Sequence, residues 1–183
     1  MNYIPGWPSL TEVDFNCTRP NPFPGSVSDF DDWISKFDNM VEDAAAQVRR
    51  NKDAERMEKR DIAEEQRYIA RLIKLIAELQ RKGKKVDETF YLNIENAQEK
   101  IAESEKVLSM LPAHRKAWEK ALAKCKPWLK WCRDVRRQGI NRKTGEPRKC
   151  GSRKTDDGSP CQNPMHFRDK IGWRYCTIEK HIR

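Results

Sequence analysis

The chain has 183 residues, of which 36% are charged and 37% are hydrophobic, and its formal net charge is +9. This composition fits long, solvated helices better than a globule with a thick core. No apolar run is long enough to cross a bilayer, and residues 1–27 lack the apolar stretch and cleavage site of a signal peptide. We therefore predict a cytoplasmic protein, in which clustered cysteines are more often metal ligands than disulfides.

The positive charge is concentrated in one part of the chain. Residues 112–154 contain 15 Lys and Arg against 3 Asp and Glu, a net charge of +12, whereas residues 1–111 carry a net charge of −4. A basic segment of this kind is typical of proteins that bind polyanions, although basic helices are also often only solvated surfaces. Nucleic acid is therefore a candidate partner.

We predict that residues 1–27 form an extended arm, because prolines at this density prevent helix formation and disfavour a central strand. Cys17 is most simply a small, partly buried thiol. The aromatic side chains of the arm either pack back on the helices or dock on a partner or a second copy of the chain, and the sequence does not decide between them. The prolines and aromatics alternate as Tyr3, Pro5, Trp7, Pro8, Phe15, Pro20, Pro22, Phe23 and Pro24.

We predict that residues 28–138 form a long antiparallel helical hairpin of coiled-coil type. Ser28 is suited to begin the first helix, Gly83 to end it, and Asp87 to cap the second. The short connection gives a tip near residues 83–87 and places residues whose numbers sum to about 169 opposite each other. Apolar residues recur at three- and four-residue steps, among them Phe30, Phe37, Val41, Leu72, Ile76, Ile94, Ala97, Leu111, Trp118, Leu122, Leu129 and Val135.

Two prolines bear on the second helix. Pro112 either kinks one long helix or occupies the first turn of a third helix, and Pro127 kinks or breaks the last stretch. We favour one hairpin with a kink at Pro112, because the register then places the polar residues 112–116 opposite the polar stretch 49–61.

The stretch from Cys125 to Cys132 combines thiols, tryptophans and lysines. Seven residues along a helix span about 10 Å, too far for a disulfide between the two cysteines, so we predict that both are small core residues. Trp128 and Trp131 lie off the main apolar face. They are either lipid-like or partner-facing platforms, which could stack on nucleic-acid bases, or a packing face that covers the tail of the chain, and we favour the packing role.

We predict that residues 139–183 form a small module that a zinc ion holds together. The segment is poor in aliphatic side chains and rich in turn formers, so it cannot bury enough apolar surface to fold alone. Its cysteines and histidines follow the spacing Cys-x10-Cys-x14-Cys-x4-His, which can supply the four ligands that Zn²⁺ prefers. The predicted ligands are Cys150, Cys161, Cys176 and His181, with His166 as the alternative to His181.

One stretch of the tail resembles a small zinc-binding module of bacteriophage and bacterial proteins, mostly of unassigned function, written Cys-Gly-x-x-x-Thr-x-x-Gly-x-Pro-Cys-x-x-Pro. It reads Cys150-Gly-Ser-Arg-Lys-Thr-Asp-Asp-Gly-Ser-Pro-Cys161-Gln-Asn-Pro164. The resemblance implies a bound zinc ion. In that family a Cys-x2-His pair closes the site, whereas this chain offers Cys176-x4-His181 after a longer loop. The resemblance therefore supports the first two ligands and leaves His181 and His166 open.

No catalytic residue is predicted. A catalytic zinc ion needs an open coordination position and a nearby general base, but Asp156, Asp157 and Asp169 stand in turn-rich, solvated sequence. The chain also lacks a phosphate-binding glycine loop, a nucleophile elbow and paired carboxylates in an apolar setting. We therefore predict a structural zinc ion in a protein that is not an enzyme.

The functional hypothesis is a non-enzymatic, zinc-containing helical protein that binds nucleic acid or accompanies it as an accessory protein. The alternative is a structural, assembly or interaction protein, such as a phage particle component or an inhibitor of a host protein, that uses the arm, the hairpin and the aromatic residues. A phage-encoded protein would act in the host cytoplasm or in the virion. The candidate nucleic-acid-binding residues are Lys124, Lys126, Trp128, Lys130, Trp131, Arg133, Arg136, Arg137, Arg142, Lys143, Arg148, Lys149, Arg153 and Lys154.

Overall fold

The structure, a computed structural model, describes residues 18–21, 23–153, 155–169, 172–178 and 181. Helix α1 is Val27–Arg81 and helix α2 is Glu88–Gln138; they are followed by the short antiparallel strands β1, His166–Arg168, and β2, Gly172–Tyr175. The two long helices pack against each other, which confirms the predicted mainly helical hairpin. Neither of these helices contains a stretch with the length and apolar character that crossing a bilayer requires.

The described end of the arm packs back on the rest of the chain. The ring of Phe23 lies 5.4 Å from Trp131 and 5.7 Å from Phe167, measured between centroids. Arg19 forms an ion pair with Asp169 at 2.5 Å. The other predictions on the arm concern residues 1–17, including Cys17, and Pro22; these lie outside the described residues, as does Lys154.

A capping box begins α1. The backbone N–H of Asp29 donates to the Ser26 hydroxyl at 3.1 Å, and the Asp29 carboxylate accepts from the N–H groups of Ser26 and Gly25 at 2.8 and 2.9 Å. These two backbone donors hold the pKa of the Asp29 carboxyl below its usual value. The cap is thus Ser26 and not the predicted Ser28, because the chain is already helical from Val27 and the carboxylate three residues after Ser28, that of Asp31, contacts Arg136.

At the tip of the hairpin, Gly83 and Asp87 have the roles that the sequence predicts. Gly83 has a φ of 65°, the left-handed conformation that ends a helix, and the Asp87 carboxylate accepts the N–H of Thr89 at 2.9 Å. Helix α2 then continues through Pro112 and Pro127. The predicted possibilities of a third helix at Pro112 and of a break at Pro127 are therefore wrong. Each proline removes only one backbone donor, and the neighbouring Leu111 and Leu129 are buried at 2% and 6% exposure, so packing outweighs the loss.

The chain divides into two compact units, and the described residues of the first are Ala45–Lys120. Cross-helix ion pairs join Lys100 to Glu65 at 3.2 Å and Arg115 to Glu55 at 2.8 Å. The buried residues of this unit are mostly small or aliphatic, with polar exceptions near Trp118: they are Asn51, Leu72, Ile76, Ala97, Leu111, His114 and Trp118.

The described residues of the second unit lie within 18–44 and 121–181. Arg133 pairs with Asp38 at 2.5 Å, and the Arg136 guanidinium contacts the Asp31 carboxylate. In both units the numbers of cross-helix ion partners sum to values from 165 to 171, close to the predicted 169. The core of the unit joins the base of the hairpin to the described end of the arm and to the tail. It consists of Phe30, Phe37, Leu129, Cys132, Val135 and Phe167, and it is covered by Phe23, Trp131 and Trp173, among others.

The two helical cysteines are both fully buried, as predicted. Cys132 has a free thiol, whose pKa burial raises to about 11. Cys125, in contrast, is disulfide-bonded. Its partner is not Cys132, in agreement with the distance argument, but the sequence did not predict that Cys125 would be oxidised.

Candidate metal centre

Four side chains from the tail converge on one point. One sulfur or nitrogen atom from each of Cys150, Cys161, Cys176 and His181 lies within 4.8 Å of the other three. The Nδ1 atom of His181 is 3.1 Å from the Cys176 sulfur and 3.7 Å from the Cys150 sulfur. The sulfurs of Cys161 and Cys176 are 4.0 Å apart. All four residues are buried, with exposures from 1% to 9%.

The backbone around the first two ligands is held by reciprocal hydrogen bonds. The N–H of Gly151 donates to the Cys161 carbonyl at 3.0 Å, and the N–H of Cys161 donates to the Ser152 carbonyl at 2.9 Å. The N–H of Cys150 reaches the Asn163 carbonyl at 2.8 Å. These bonds align the two segments antiparallel, so both thiols face the same side. Positive φ angles at Gly151 and Gly158 permit the tight turns.

The other two ligands follow the strand pair. Cys176 comes directly after β2, and Arg168 on β1 donates from its guanidinium to the Cys176 carbonyl at 3.4 Å. The chain then turns back: the N–H of His181 donates to the Ile178 carbonyl at 3.0 Å. The strand pair therefore positions Cys176, and the following turn returns the imidazole of His181 to the cluster.

The separations fit a tetrahedral metal ion. Bond lengths of about 2.3 Å to sulfur and about 2.0 Å to nitrogen imply sulfur–sulfur edges near ~3.8 Å and sulfur–nitrogen edges near ~3.5 Å. The observed sulfur–sulfur distance of 4.0 Å is slightly longer than this edge, and the observed sulfur–nitrogen distances of 3.7 and 3.1 Å lie on either side of theirs. A sulfur–sulfur distance of 4.0 Å is too long for a disulfide bond of about 2.05 Å, and the three thiols are free. The four residues therefore form a candidate metal-binding site.

The thiols of the cluster have different electrostatic environments. Burial by itself raises the pKa of the Cys150 thiol, but backbone N–H donors from Cys176 and Ser152 and the neighbouring thiols outweigh burial and lower that pKa overall. Burial raises the pKa of the Cys176 thiol, and its neighbours Cys150 and Cys161 raise it further. The cluster thus favours ionisation of one thiol first, and close thiols resist ionising together without a cation between them.

His166 lies outside the cluster of four ligands. It begins β1, its Nδ1 atom lies 3.0 Å from the carbonyl of Phe167, and its ring packs so closely on Gly25 that a Cβ there would come within 2.1 Å. His166 is not among the four clustered ligands, so of the two alternatives the geometry brings His181 to the cluster. The aspartates near the module, Asp156, Asp157 and Asp169, are exposed.

The predicted nucleic-acid-binding residues divide into two groups. Trp131 packs against Phe30 at 5.7 Å and Phe167 at 6.1 Å, and Trp128 meets Trp131 edge-on at 5.9 Å, which agrees with the packing role that we favoured. Arg133 and Arg136 pair with acids of α1. The remaining described ones are exposed: Lys124, Lys126, Lys130, Arg137, Arg142, Lys143, Arg148, Lys149 and Arg153.

No family model matches the chain. A search of curated proteins and a search of solved structures also find no match.

Arg174, an exposed basic residue of the tail, was not among the predicted binding residues. It stands in the middle of β2, where the side chains on either side of it, Trp173 and Tyr175, are half-buried. The alternation of aromatic and basic residues from Trp173 to Tyr175 is a strand signal that could have identified Arg174 as solvent-facing.

Proposed function

We propose that Cys150, Cys161, Cys176 and His181 bind one Zn²⁺ ion that holds the tail of the chain in its folded state. The observation that carries this proposal is the burial of four ligand atoms within 4.8 Å of one another. Thiolate and imidazole ligands favour zinc over Mg²⁺ and Ca²⁺, which prefer oxygen. The resemblance of residues 150–164 to a zinc-binding module supports the same ion.

The zinc ion in this proposal is structural. Four protein ligands complete a tetrahedron and leave no position for a water molecule or a substrate. The proposal therefore assigns the protein a non-enzymatic role, in which the metal replaces the hydrophobic core that a segment of this size cannot build.

Elemental analysis of the purified protein tests the metal. We expect about one zinc ion per chain. Chelation should broaden the amide signals of residues 148–181 in a ¹H–¹⁵N NMR spectrum, while circular dichroism at 222 nm keeps most of its intensity because the helices lie elsewhere in the chain. A protein purified without zinc, whose tail signals do not respond to added zinc or chelator, would contradict the proposal.

We further infer that the protein binds nucleic acid through its basic segment. This inference is supported by the net charge of +12 over residues 112–154, much of it on exposed side chains between α2 and the metal ligands, such as Arg142, Lys143 and Lys149. Binding to single-stranded and duplex oligonucleotides should weaken steeply as salt rises. Binding that is absent at low salt, or that is insensitive to salt, would contradict it.

An assembly or protein-interaction role is the second candidate, and one observation favours it. Near the hairpin tip four large apolar side chains are 41–56% exposed: Ile73, Leu75, Tyr91 and Leu92. Such residues could contact a second copy, a partner in a phage particle or a host protein. Size-exclusion chromatography with light scattering tests this role. We expect the wild type to form an oligomer or to co-purify with another protein, and the double variant Ile73→Lys, Leu92→Lys to lose this association. A wild-type monomer without a partner would exclude the role.

A further inference from the structure

An arginine-rich cleft lies in the second unit, beside the metal centre. The cleft has a volume of about 650 Å³, and four of its eight lining residues are arginines against a single acid. This size is ordinary for a site that takes one nucleotide-sized group. Its charged and aromatic lining residues are Arg137, Arg142, Arg148, Arg174, Asp134 and Trp173.

The arginines of the cleft differ in what else they contact. Within the described residues, Arg142 and Arg174 form no ion pair, and both side chains are exposed. Arg137 lies 3.6 Å from Asp134, at the limit of an ion pair, and Arg148 uses its Nε–H to donate to the Ile140 carbonyl at 3.2 Å. Arg142 and Arg174 therefore have guanidinium groups available for an anion.

Backbone hydrogen bonds hold the segments that carry Arg142 and Arg148. Arg142 sits in a loop closed by the hydrogen bonds from Asn141 N–H to the Glu146 carbonyl and from Gly145 N–H to the Asn141 carbonyl, both 2.8 Å. The N–H of Arg148 donates to the Gly139 carbonyl at 2.9 Å, at the end of α2. The cleft is thus built on ordered main chain, so less conformational entropy is lost when a ligand binds.

Residues 139–183, which carry the metal ligands, supply five of the eight lining residues of the cleft. Arg148 stands two residues before the ligand Cys150, and Arg174 stands two residues before the ligand Cys176. Trp173, beside Arg174, is tied to α2 through a hydrogen bond from its indole N–H to the Val135 carbonyl at 2.8 Å. A metal ion that holds the two cysteines therefore also restrains the backbone that carries two of the four arginines.

We propose that this cleft binds the phosphodiester backbone of a nucleic-acid strand, with Arg142 and Arg174 each holding a phosphate group. The inference deepens the proposed nucleic-acid binding and rests on it. A guanidinium presents two parallel N–H donors that match two oxygens of one phosphate, which a lysine ammonium cannot do. The half-buried indole of Trp173 gives the cleft an apolar wall for the sugar or base between the phosphates.

The charge pattern favours a nucleic-acid strand over a small anion. The cleft is open along one side, and the exposed Lys143 and Lys149 directly follow its lining residues Arg142 and Arg148 in the chain, so they add positive charge next to it. A free phosphate or a single nucleotide would use only the cleft, whereas a strand also meets these neighbouring charges.

The experiment measures fluorescence anisotropy of a labelled oligo(dT) of about 20 nucleotides with the zinc-loaded protein. At about 50 mM salt, Arg142→Ala, Arg174→Ala should weaken binding by roughly 10- to 100-fold and reduce the slope of log K against log salt by about 1.4, since each single-strand phosphate contributes about 0.7. The matched control Lys82→Ala, Lys84→Ala removes two exposed charges from the loop between the helices and should change the affinity much less.

A second variant tests whether the two parallel N–H donors of each guanidinium matter, beyond its charge. Arg142→Lys, Arg174→Lys keeps both charges, so it should keep the salt slope but still lose several-fold in affinity. Elemental analysis and circular dichroism should give the same zinc content and helicity for all three variants, because neither arginine is a metal ligand or part of a helix.

Each outcome decides between the proposals. If the wild type binds and the Arg142→Ala, Arg174→Ala variant binds equally well, the cleft proposal fails while nucleic-acid binding stands. If the wild type does not bind the oligonucleotide, both fail, and the zinc content still decides the metal proposal separately. If thymidine monophosphate or polyglutamate of matched charge competes as well as unlabelled oligo(dT), the occupant is a small anion or an acidic protein, and the strand proposal is overturned.

Discussion

The indole N–H of Trp173 on β2 donates a hydrogen bond to the carbonyl of Val135, near the end of α2, at a distance of 2.8 Å. The Trp173 ring also contacts Phe30 and Phe167 at centroid distances of 5.6 and 5.5 Å. Gly139 leaves room for this ring, since a Cβ at that position would come within 2.6 Å of two ring atoms. The tryptophan therefore fastens the strand pair to the last turns of α2.

The first prediction concerns this contact. Gly139→Ala should lower the free energy of unfolding by about 1–3 kcal/mol, because the added methyl group forces the Trp173 ring out of its place. Urea denaturation followed by tryptophan fluorescence and circular dichroism measures the change. In a Trp173→Ala background the same Gly139→Ala change should cost much less. Equal costs in the two backgrounds would show that the ring is not what excludes a side chain at position 139.

The second prediction separates metal ligands from core cysteines. Cys161→Ser should lose most of the zinc and the ordered tail while it keeps most of the helical signal, because a hydroxyl is a poor replacement for a thiolate ligand. Cys132→Ser is the matched control: its thiol is equally buried but belongs to the hairpin core, so it should keep a full zinc complement. Stoichiometric zinc in Cys161→Ser, measured by elemental analysis, would refute the assignment of this ligand.

The third prediction distinguishes the two histidines of the tail. His181→Ala should weaken zinc binding by at least about 10-fold in a competition with a chromogenic chelator, because one of four ligands is removed. His166→Ala should keep zinc affinity and instead lower stability, since the imidazole packs against Gly25 and lies beside the start of α1. The reverse order of zinc affinities would show that His166 is the fourth ligand in solution.

The fourth prediction follows from the burial of Cys132. Because burial raises the pKa of its thiol to about 11, only about one molecule in a thousand carries the reactive thiolate at pH 8. Alkylation of the folded protein by iodoacetamide should be slow at this position and should accelerate about tenfold per pH unit between pH 8 and 10. Peptide mass spectrometry reads the modification of Cys132 directly.

The same experiment in denaturant provides the reference. Unfolding removes the burial, so the thiol returns toward its ordinary pKa and should react much faster at pH 8. If Cys132 is labelled equally fast in the folded and the denatured protein, it is not the buried core residue described above.

Local signals in the sequence account for the limits of the helices. Gly83 and Asp87 act at the tip as predicted, and Gln138 ends α2 where Gly139 follows. The apolar spacing gave the antiparallel register, because a short connection leaves the two helices few ways to bury their apolar faces. The register of the polar stretches favoured continuity through Pro112. Continuity through Pro127 had no such signal, since it depends on how much buried packing offsets the lost backbone donor.

The sequence by itself determined which residue types could bind a metal, because thiols and imidazoles that recur in a turn-rich tail have few other uses. Only the tertiary structure decided that His181 and not His166 joins Cys150, Cys161 and Cys176, since β1 carries His166 to Gly25 while the turn after β2 returns His181 to the sulfurs. It also decided that Arg142 and Arg174, 32 positions apart, share one cleft. Both outcomes depend on contacts between residues distant along the chain, which pattern and spacing do not encode.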